Sequence, residues 1–187
     1  MTEDLRNIIS RYRTREAPSL ITSLIQSPDL DFIVSQLRPD DTLEHLGPFR
    51  LPEFQRPAVW SQAQEARLIE SVWRGIPIGT YSVNRLHATD SGYQEFSELL
   101  LDGQQRIRAI LNYMNDEFPV FNRLYSELSA PDKAFFKQSK FAHCETSFAD
   151  WDSIREYYDT MNFSGVAHEP EMRATQGYRR PLEQVTP

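Results

Sequence analysis

The run from Leu99 to Met114 constrains the fold of this chain more than any other segment. Three leucines, Leu99 to Leu101, form a short apolar run of the kind that builds a buried strand. Asp102-Gly103 then turns the chain. Apolar residues follow at the i, i+3, i+4, i+7 spacing of an amphipathic helix, namely Ile107, Ile110, Leu111 and Met114. A strand, a turn and a helix packed back on the sheet predict a mixed domain, α/β or α+β.

A strand, a helix and a second strand are predicted just before this unit. Phe49–Pro52 is typical of a short strand that enters a loop. Ser61 and Gln64 match a capping box, so a helix should begin after Ser61 and end at Gly75. Thr80–Asn84 alternates apolar and polar residues, as a half-buried strand does.

Helical segments are predicted on both sides of this central block. We expect a helical N-terminal extension over residues 1–44, a core over 45–115, a helical C-terminal part of the same domain over 116–175 and a flexible tail over 176–187. The candidate helices outside the core are Glu3–Arg13, Pro18–Gln26, Pro28–Leu37, Ala130–Gln138 with Ser129 as its cap, and Phe148–Met161.

The composition is that of a cytoplasmic globular protein. Hydrophobic residues make up 40% of the 187 residues, enough for one domain with a real core. No apolar run reaches the length of a transmembrane helix, and the charged N-terminus does not resemble a signal peptide. Cys144 is the single cysteine, so an intramolecular disulfide and a cysteine-based zinc site are both excluded.

The charge of the chain is unevenly distributed. Residues 50–108 carry seven arginines and seven acidic residues, so the net charge of −7 resides in the rest of the chain. Arginines account for 17 of the 20 basic residues. The planar guanidinium suits two-pronged contacts with phosphate or carboxylate groups, although a GC-rich genome would produce the same bias.

The turn at Asp102-Gly103 has the features of an anion site. A helix that starts where a buried strand ends presents backbone N–H groups and a positive dipole end. Gly103 permits close approach of the backbone, and Gln104-Gln105 adds neutral donors. Arg106 and Arg108 are unfavourable to the dipole itself, so they call for an anionic partner. The alternative is a solvent-facing helix start in which Arg106 pairs with Asp102.

A second polar pair, Gln55-Arg56, lies in the loop between Pro52 and Trp60. Loops held between apolar anchors commonly aim side chains into a pocket, and Phe54 and Trp60 are suitable anchors here. The alternative is that both aromatic residues belong to the core and Arg56 is merely exposed.

Taken together, these segments resemble the N-terminal domain of GmrSD-type modification-dependent restriction enzymes, within the ParB/sulfiredoxin-like superfamily. The resemblance covers roughly residues 45–115, with the signature Asp-Gly-Gln-Gln-Arg at 102–106. Gly103–Ala109 is also similar to the Gly-Glu-Arg-Arg-x-Arg-Ala box of ParB proteins, with glutamines in place of Glu and Arg. The matching segments are Leu51–Trp60, Leu68–Gly79 and Leu101–Ile110.

The resemblance implies a small mixed sheet with helices and a site for a nucleotide or a DNA backbone. Family members use such a domain to bind or hydrolyse nucleoside triphosphates while sensing or restricting foreign DNA. A triphosphate implies Mg²⁺, for which Asp102 is the expected ligand; capping of the helix is the alternative role of Asp102. The implied phosphate-binding residues are Arg56, Gly103, Gln104, Arg106 and Arg108, and the implied catalytic residues are Gln55, Asp102, Gln105 and His168.

His168 enters through a second short motif. Asn162 to His168 is similar to an Asn-Phe-x-Gly-x-x-His turn in some small family members. Histidine is the side chain best suited to acid–base catalysis at neutral pH, whereas a histidine in a loop is more often structural or idle.

Three functions fit these features. The leading hypothesis is a ParB-like nucleoside triphosphatase or triphosphate-dependent switch in DNA restriction, defence or counter-defence. The alternatives are a metal-dependent nuclease that uses the same pocket and a non-catalytic immunity or regulatory module that binds a protein. Family enzymes usually continue into a nuclease domain of His-Asn-His character, so DNA cleavage would come from this domain or from a separate partner. Nucleotide, DNA and a protein are the expected partners; a homodimer is compatible, and a membrane is not expected.

Overall fold

A mixed sheet of six strands forms the centre of the domain. The computed structural model describes residues 15–17, 21, 42–86 and 95–163. The strands are β1 Arg15–Ala17, β2 Glu44–Leu46, β3 Phe49–Leu51, β4 Tyr81–Asn84, β5 Leu99–Asp102 and β6 His143–Thr146. The helices are α1 Gln62–Trp73, α2 Gln104–Met114, α3 Ala130–Lys137 and α4 Trp151–Phe163.

The strand order is β1-β6-β4-β5-β3-β2. The pairs β4 with β6 and β3 with β5 are parallel, and the other three pairs are antiparallel. The predicted mixed class of fold is therefore confirmed, while its closer likeness to ParB proteins stays a prediction. Within the described residues, no helix is long and apolar enough to cross a membrane.

Strand β5 lies in the middle of the sheet and serves two apolar layers. Leu100 packs with residues of α1 and α2, including the fully buried Ile107 and Ile110. Leu99 and Leu101 pack on the other face, against Ile154 and Tyr157 of α4. Because side chains alternate along a strand, successive leucines of this run pack into opposite layers. The strand, turn and helix predicted from Leu99 to Met114 are confirmed.

Helix α1 has the ends that its sequence predicts. The Gln64 side chain accepts a hydrogen bond of 2.8 Å from the backbone N–H of Ser61, the reciprocal half of a capping box. At the other end Gly75 adopts a positive φ of 68°. The N–H groups of Gly75 and Ile76 then bond to the carbonyls of Val72 and Ser71, which forms a Schellman motif.

Three strands are absent from the sequence-based prediction. Strand β1 lies inside the expected helical extension and β6 inside the expected helical C-terminal part, so neither part is wholly helical. Strand β2 spans the expected boundary at residue 44. The helices expected over 3–13, 18–26 and 28–37 lie outside the described residues, except for Ile21, which is helical and fully buried. Residues 164–187, which include the tail expected over 176–187, also lie outside them.

Helix α4 begins three residues later than predicted. Asp150 accepts a 2.8 Å hydrogen bond from the backbone N–H of Ser153, and its second oxygen accepts one from the Ser153 hydroxyl. An aspartate that bonds the third residue along is an N-cap, so the helix starts at Trp151 and Phe148 precedes it. Helix α3 begins after its predicted cap, Ser129, which accepts from the N–H of Asp132.

Candidate functional site

A cavity of about 660 Å³ opens where β5 ends and α2 begins. We call it the main cavity. Four parts of the chain line it: the loop after β3, the end of β5, the first turn of α2 and the last turns of α4. Its lining residues are Phe54, Gln55, Arg56, Pro57, Val59, Trp60, Leu101, Asp102, Gly103, Gln104, Gln105, Arg106, Tyr158 and Asn162.

Gly103 starts α2 in a conformation that suits glycine. Its φ is 97°, in the left-handed region, and a Cβ built on it would lie 2.5 Å from the Cβ of Tyr81. Gly103 is the N-cap and supplies no side-chain cap, so Asp102 does not fill the capping role considered above. The first intrahelical bond is that from the N–H of Ile107 to the carbonyl of Gly103, at 2.9 Å. The N–H groups of Gln104, Gln105 and Arg106 precede that bond, and all three residues line the main cavity.

Arg106 is held in place by two partners. Its Nη2 donates to Asp102 Oδ2 at 2.7 Å and to the carbonyl of Thr80 at 2.5 Å. Both side chains of the ion pair are partly buried, with 24% of Arg106 and 35% of Asp102 exposed. The pairing considered as the alternative from sequence is therefore present. It leaves Arg106 in the wall of the main cavity.

Gln105 joins the loop after β3 to α2. Its Oε1 accepts from the backbone N–H groups of Val59 and Trp60, each at 3.3 Å. Its Nε2 donates to the carbonyl of Pro57, also at 3.3 Å. Both ends of the amide are thus engaged with backbone groups of one loop. Gln105 positions that loop against the start of α2, 45 to 48 residues away in sequence.

Arg56 reaches the last turns of α4. Its Nη2 donates to Asn162 Oδ1 at 3.1 Å, and Asn162 in turn donates to the carbonyl of Tyr158. Burial raises the pKa of Tyr158, and hydrogen bonding and the positive charge of Arg56 oppose that rise without reversing it. The Tyr158 phenol is therefore neutral at physiological pH, and it is buried in hydrogen-bonding contact with Arg56.

Phe54 anchors the Gln55-Arg56 pair to the second apolar layer. Its ring packs edge-on against Tyr158 at 5.0 Å and against Trp151 at 6.2 Å between centroids. The backbone N–H of Gln55 bonds to the carbonyl of Pro52 at 2.8 Å, which closes a turn directly before the pair. The expectation that apolar anchors flank this pair is confirmed for Phe54. Trp60 is half-buried at the other end of the loop.

A second concavity of about 370 Å³, the side cavity, adjoins the main one. Both cavities are lined by Gln55, Arg56, Pro57 and Gln104. Arg108 lines the side cavity alone, where its Nη2 donates to Glu44 Oε1 at 3.0 Å. Arg108 was expected in the same phosphate site as Arg106. Because Arg108 lies two residues further along the helix, it faces a different direction and meets Glu44 instead.

The two sequence motifs therefore meet in one site. Gln55, Arg56, Asp102, Gly103, Gln104, Gln105 and Arg106 all line the main cavity, as their expected convergence requires. Their individual roles stay predictions, and His168 lies outside the described residues. Tyr158 and Asn162 were not assigned to the site from sequence. The motif from Asn162 to His168 was the sequence signal that could have located them. Asn162 is its first residue, and Tyr158 lies one helical turn before Asn162.

The carboxylate available for a metal ion in the main cavity is Asp102. Over residues 42–86 and 95–163, no group of three or more His, Cys, Asp or Glu side chains could hold a metal ion. Mg²⁺ is commonly bound through one or two carboxylates together with the phosphates of a substrate. Among the described residues, Asp102 is the one carboxylate in the main cavity's lining, and its Oδ2 is paired with Nη2 of Arg106, so Mg²⁺ binding by Asp102 stays a prediction.

The family model of the GmrSD restriction endonuclease N-terminal domain matches residues 34–178. The match covers most of the chain and includes all the residues that line both cavities. The chain belongs to this family. Membership in a restriction-endonuclease domain family points to a role in DNA restriction or defence. No curated protein and no solved structure matches the chain significantly.

Proposed function

We propose that this domain binds a nucleoside triphosphate in the main cavity and hydrolyses it, or switches on binding it, during DNA restriction or defence. One observation carries the proposal. Asp102–Arg106 and Gln55-Arg56, far apart in sequence, line a single cavity at the N-terminal end of a helix. That arrangement supplies donors to a polyphosphate from two segments of the chain.

The phosphates would be bound by two guanidinium groups and the start of α2. The charged residues in the lining are Arg56, Arg106 and Asp102. The two hydrogen bonds described for Arg106 both use Nη2, while Nη1 carries two further N–H donors. Backbone N–H groups in the first turn of α2 add neutral donors along a favourable dipole. The negative charge of the bound triphosphate would therefore be neutralised by cations and helix dipole together.

The glutamines would divide into two roles. Gln55 lines the main cavity without belonging to the helix, so it is our choice for orienting a water molecule or a phosphate oxygen. The Gln105 amide is hydrogen-bonded to the backbone of the loop at Pro57, Val59 and Trp60, so we assign to Gln105 the positioning of that loop. Asp102 would bind the Mg²⁺ that accompanies the triphosphate, which supplies charge neutralisation at the phosphates.

The test is binding of the four common nucleoside triphosphates with Mg²⁺, measured by calorimetry and by thermal shift. Arg56→Ala should weaken binding by about 10- to 100-fold, because a hydrogen bond to a charged group contributes about 1.5–3 kcal/mol. The matched control is Arg67→Ala, since Arg67 is an exposed arginine of α1 that lines neither cavity. The control should bind like the unaltered protein.

Release of inorganic phosphate from the unaltered protein, with and without DNA, separates an enzyme from a switch. Release identifies a triphosphatase, and binding without release identifies a switch. If none of the four triphosphates binds, or if Arg56→Ala and Arg67→Ala bind equally well, the proposal is wrong.

A further inference from the structure

Helix α4 holds the loop after β3 through one aromatic ring. Phe54 packs edge-on against Tyr158 and Trp151. The guanidinium of Arg155 lies over the same ring, 5.6 Å from its centroid. All three partners belong to α4, and the buried apolar residues of this helix pack on the leucines of β5. The loop that carries Arg56 therefore rests on a helix that is anchored to the core.

Two polar groups of α4 then hold the Arg56 side chain. Asn162 Oδ1 accepts a hydrogen bond from Arg56 Nη2 at 3.1 Å. The Nδ2 of Asn162 donates to the carbonyl of Tyr158 at 2.9 Å, so the orientation of this amide is fixed by the helix. Tyr158 is only 1% exposed, and its hydroxyl is also in hydrogen-bonding contact with Arg56. Two residues one helical turn apart thus contact the same arginine in the wall of the main cavity.

These two partners are uncharged. An amide and a neutral phenol orient a guanidinium without cancelling its positive charge. A carboxylate in their place would compete with a phosphate, as Asp102 would at Arg106. A guanidinium has five N–H donors in a fixed plane, so it can make such contacts and bind a ligand at once. Holding it in the bound orientation raises affinity, because less side-chain entropy is lost on binding.

We infer that Tyr158 and Asn162 are positioning residues of the phosphate site, which orient Arg56 toward the main cavity and couple ligand binding there to the end of α4. This inference rests on the proposed function and adds how its site is regulated. Coupling between two sites acts in both directions. A ligand bound to Arg56 in this orientation therefore stabilises the last turn of α4 in return.

The first test is a double-mutant cycle on affinity, measured by calorimetry with Mg²⁺ and whichever common nucleoside triphosphate binds the unaltered protein best. Tyr158→Phe and Asn162→Ala should each weaken binding by about three- to tenfold, the range for one hydrogen bond. Neither should weaken it further in an Arg56→Ala background, because both act through that guanidinium. A purely structural role would give the same loss in both backgrounds.

The matched controls are Tyr157→Phe and Thr160→Ala on the same helix. Tyr157 is a buried tyrosine that lines neither cavity. Thr160 donates to the carbonyl of Glu156, four residues earlier, as Asn162 does one turn later, and it also lines neither cavity. Both controls should bind like the unaltered protein. All affinities are compared well below the lowest melting temperature of the set, so that every variant is folded.

The second test is backbone hydrogen exchange of residues 159–163, followed by mass spectrometry. Saturating triphosphate should slow this exchange in the unaltered protein and in Thr160→Ala, but not in Asn162→Ala. Unchanged exchange in the unaltered protein overturns the coupling.

The outcomes separate this inference from the function on which it rests. Binding that depends on Arg56 but is indifferent to both Tyr158→Phe and Asn162→Ala overturns the inference and leaves the proposed function intact. Losses that persist in the Arg56→Ala background overturn it as well, because the two residues would then act elsewhere. If no triphosphate binds the unaltered protein, the proposed function is wrong and the inference with it.

Discussion

Two constraints require glycine at position 103, and both concern the absence of a Cβ atom. Its φ of 97° is a conformation in which a side chain is strained, and the space for a Cβ is already taken by Tyr81, whose Cβ would be 2.5 Å away. The close approach brings the start of α2 against the start of β4.

Gly103→Ala should therefore lower the free energy of unfolding by about 2–5 kcal/mol, from backbone strain and steric overlap combined. Gly75→Ala is the matched control: its φ is 68°, but nothing lies within 4 Å of its Cβ position, so strain alone should cost about 1 kcal/mol. Urea unfolding of both variants measures the difference. Equal losses would show that contact with Tyr81 has no part in the requirement for glycine.

Arg106 illustrates how one side chain serves both the fold and the site. Its bonds to Asp102 and to the Thr80 carbonyl connect α2, β5 and the chain before β4. From sequence, Arg106 was predicted to bind phosphate. Replacing Arg106 would also leave a partly buried carboxylate without this partner, so an Arg106 variant should lose stability as well as any binding. Arg56 is consequently the cleaner residue on which to test phosphate binding.

At the scale of secondary-structure elements, Asn84 holds the C-terminal end of β4 to its surroundings. It is fully buried, and its side chain makes four hydrogen bonds. The amide nitrogen donates to the carbonyls of Phe96 and Phe148 at 2.7 and 2.9 Å. The amide oxygen accepts from the Thr146 hydroxyl and the Phe148 N–H at 2.7 and 2.8 Å. This residue therefore ties together the segments before β5, within β6 and before α4.

Asn84→Ala should lower the free energy of unfolding by about 3–5 kcal/mol, because buried donors and acceptors would lose their partners. Asn115→Ala, at the exposed end of α2, should change it by less than about 0.5 kcal/mol. Both are measured by urea denaturation. A loss below about 1 kcal/mol for Asn84→Ala would show that water or a shifted backbone replaces these bonds.

The elements that local sequence predicted are those that carry their own signals. Helices α1, α2 and α3 combine apolar periodicity with a recognisable start, and β5 is a continuous apolar run. Strand β6 has no such signal: Glu145 and Thr146 have side-chain partners elsewhere in the chain, at Arg85 and Asn84, and His143 contacts Glu145 within the strand. Its strand conformation depends on pairing with β4 and β1, which local sequence does not contain.

At the scale of the whole molecule, the site is assembled by topology. The end of β5 and the loop after β3 are adjacent because these strands pair in parallel, at Arg50 and Leu99. That adjacency brings Gln55-Arg56 to the helix start, as their motifs predicted. The contribution of α4 through Tyr158 and Asn162 depends on which face of the sheet this helix covers. Its periodicity predicted a helix but carried no information on the face it would cover.

A charged network connects the middle of the sheet to β6. Arg85 donates to both carboxylate oxygens of Glu98, at 2.8 and 3.1 Å, and to Glu145 at 2.6 Å. Glu145 also contacts the Nε2 of His143 at 2.9 Å. Partial burial acts to raise the pKa of Glu145, but the hydrogen bond from His143 and the charge of Arg85 outweigh burial and lower it. The ionised carboxylate is therefore the form that the fold stabilises.

The sign of the pH effect follows from that lowered pKa. Glu145 has a pKa below 4.5 in the folded protein, so its stabilising contribution is complete above 4.5 and is lost as the pH falls through the folded value. Glu145→Gln should thus lower the free energy of unfolding by about 1–2 kcal/mol at neutral pH. The difference from the unaltered protein should shrink as the pH drops below 4.5. Glu156→Gln, at an exposed site on α4, controls for the loss of one acidic residue. Urea unfolding at neutral pH and below pH 4.5 tests this. A difference that stays constant or grows on acidification would show that the Glu145 carboxylate is not what holds β6 to Arg85.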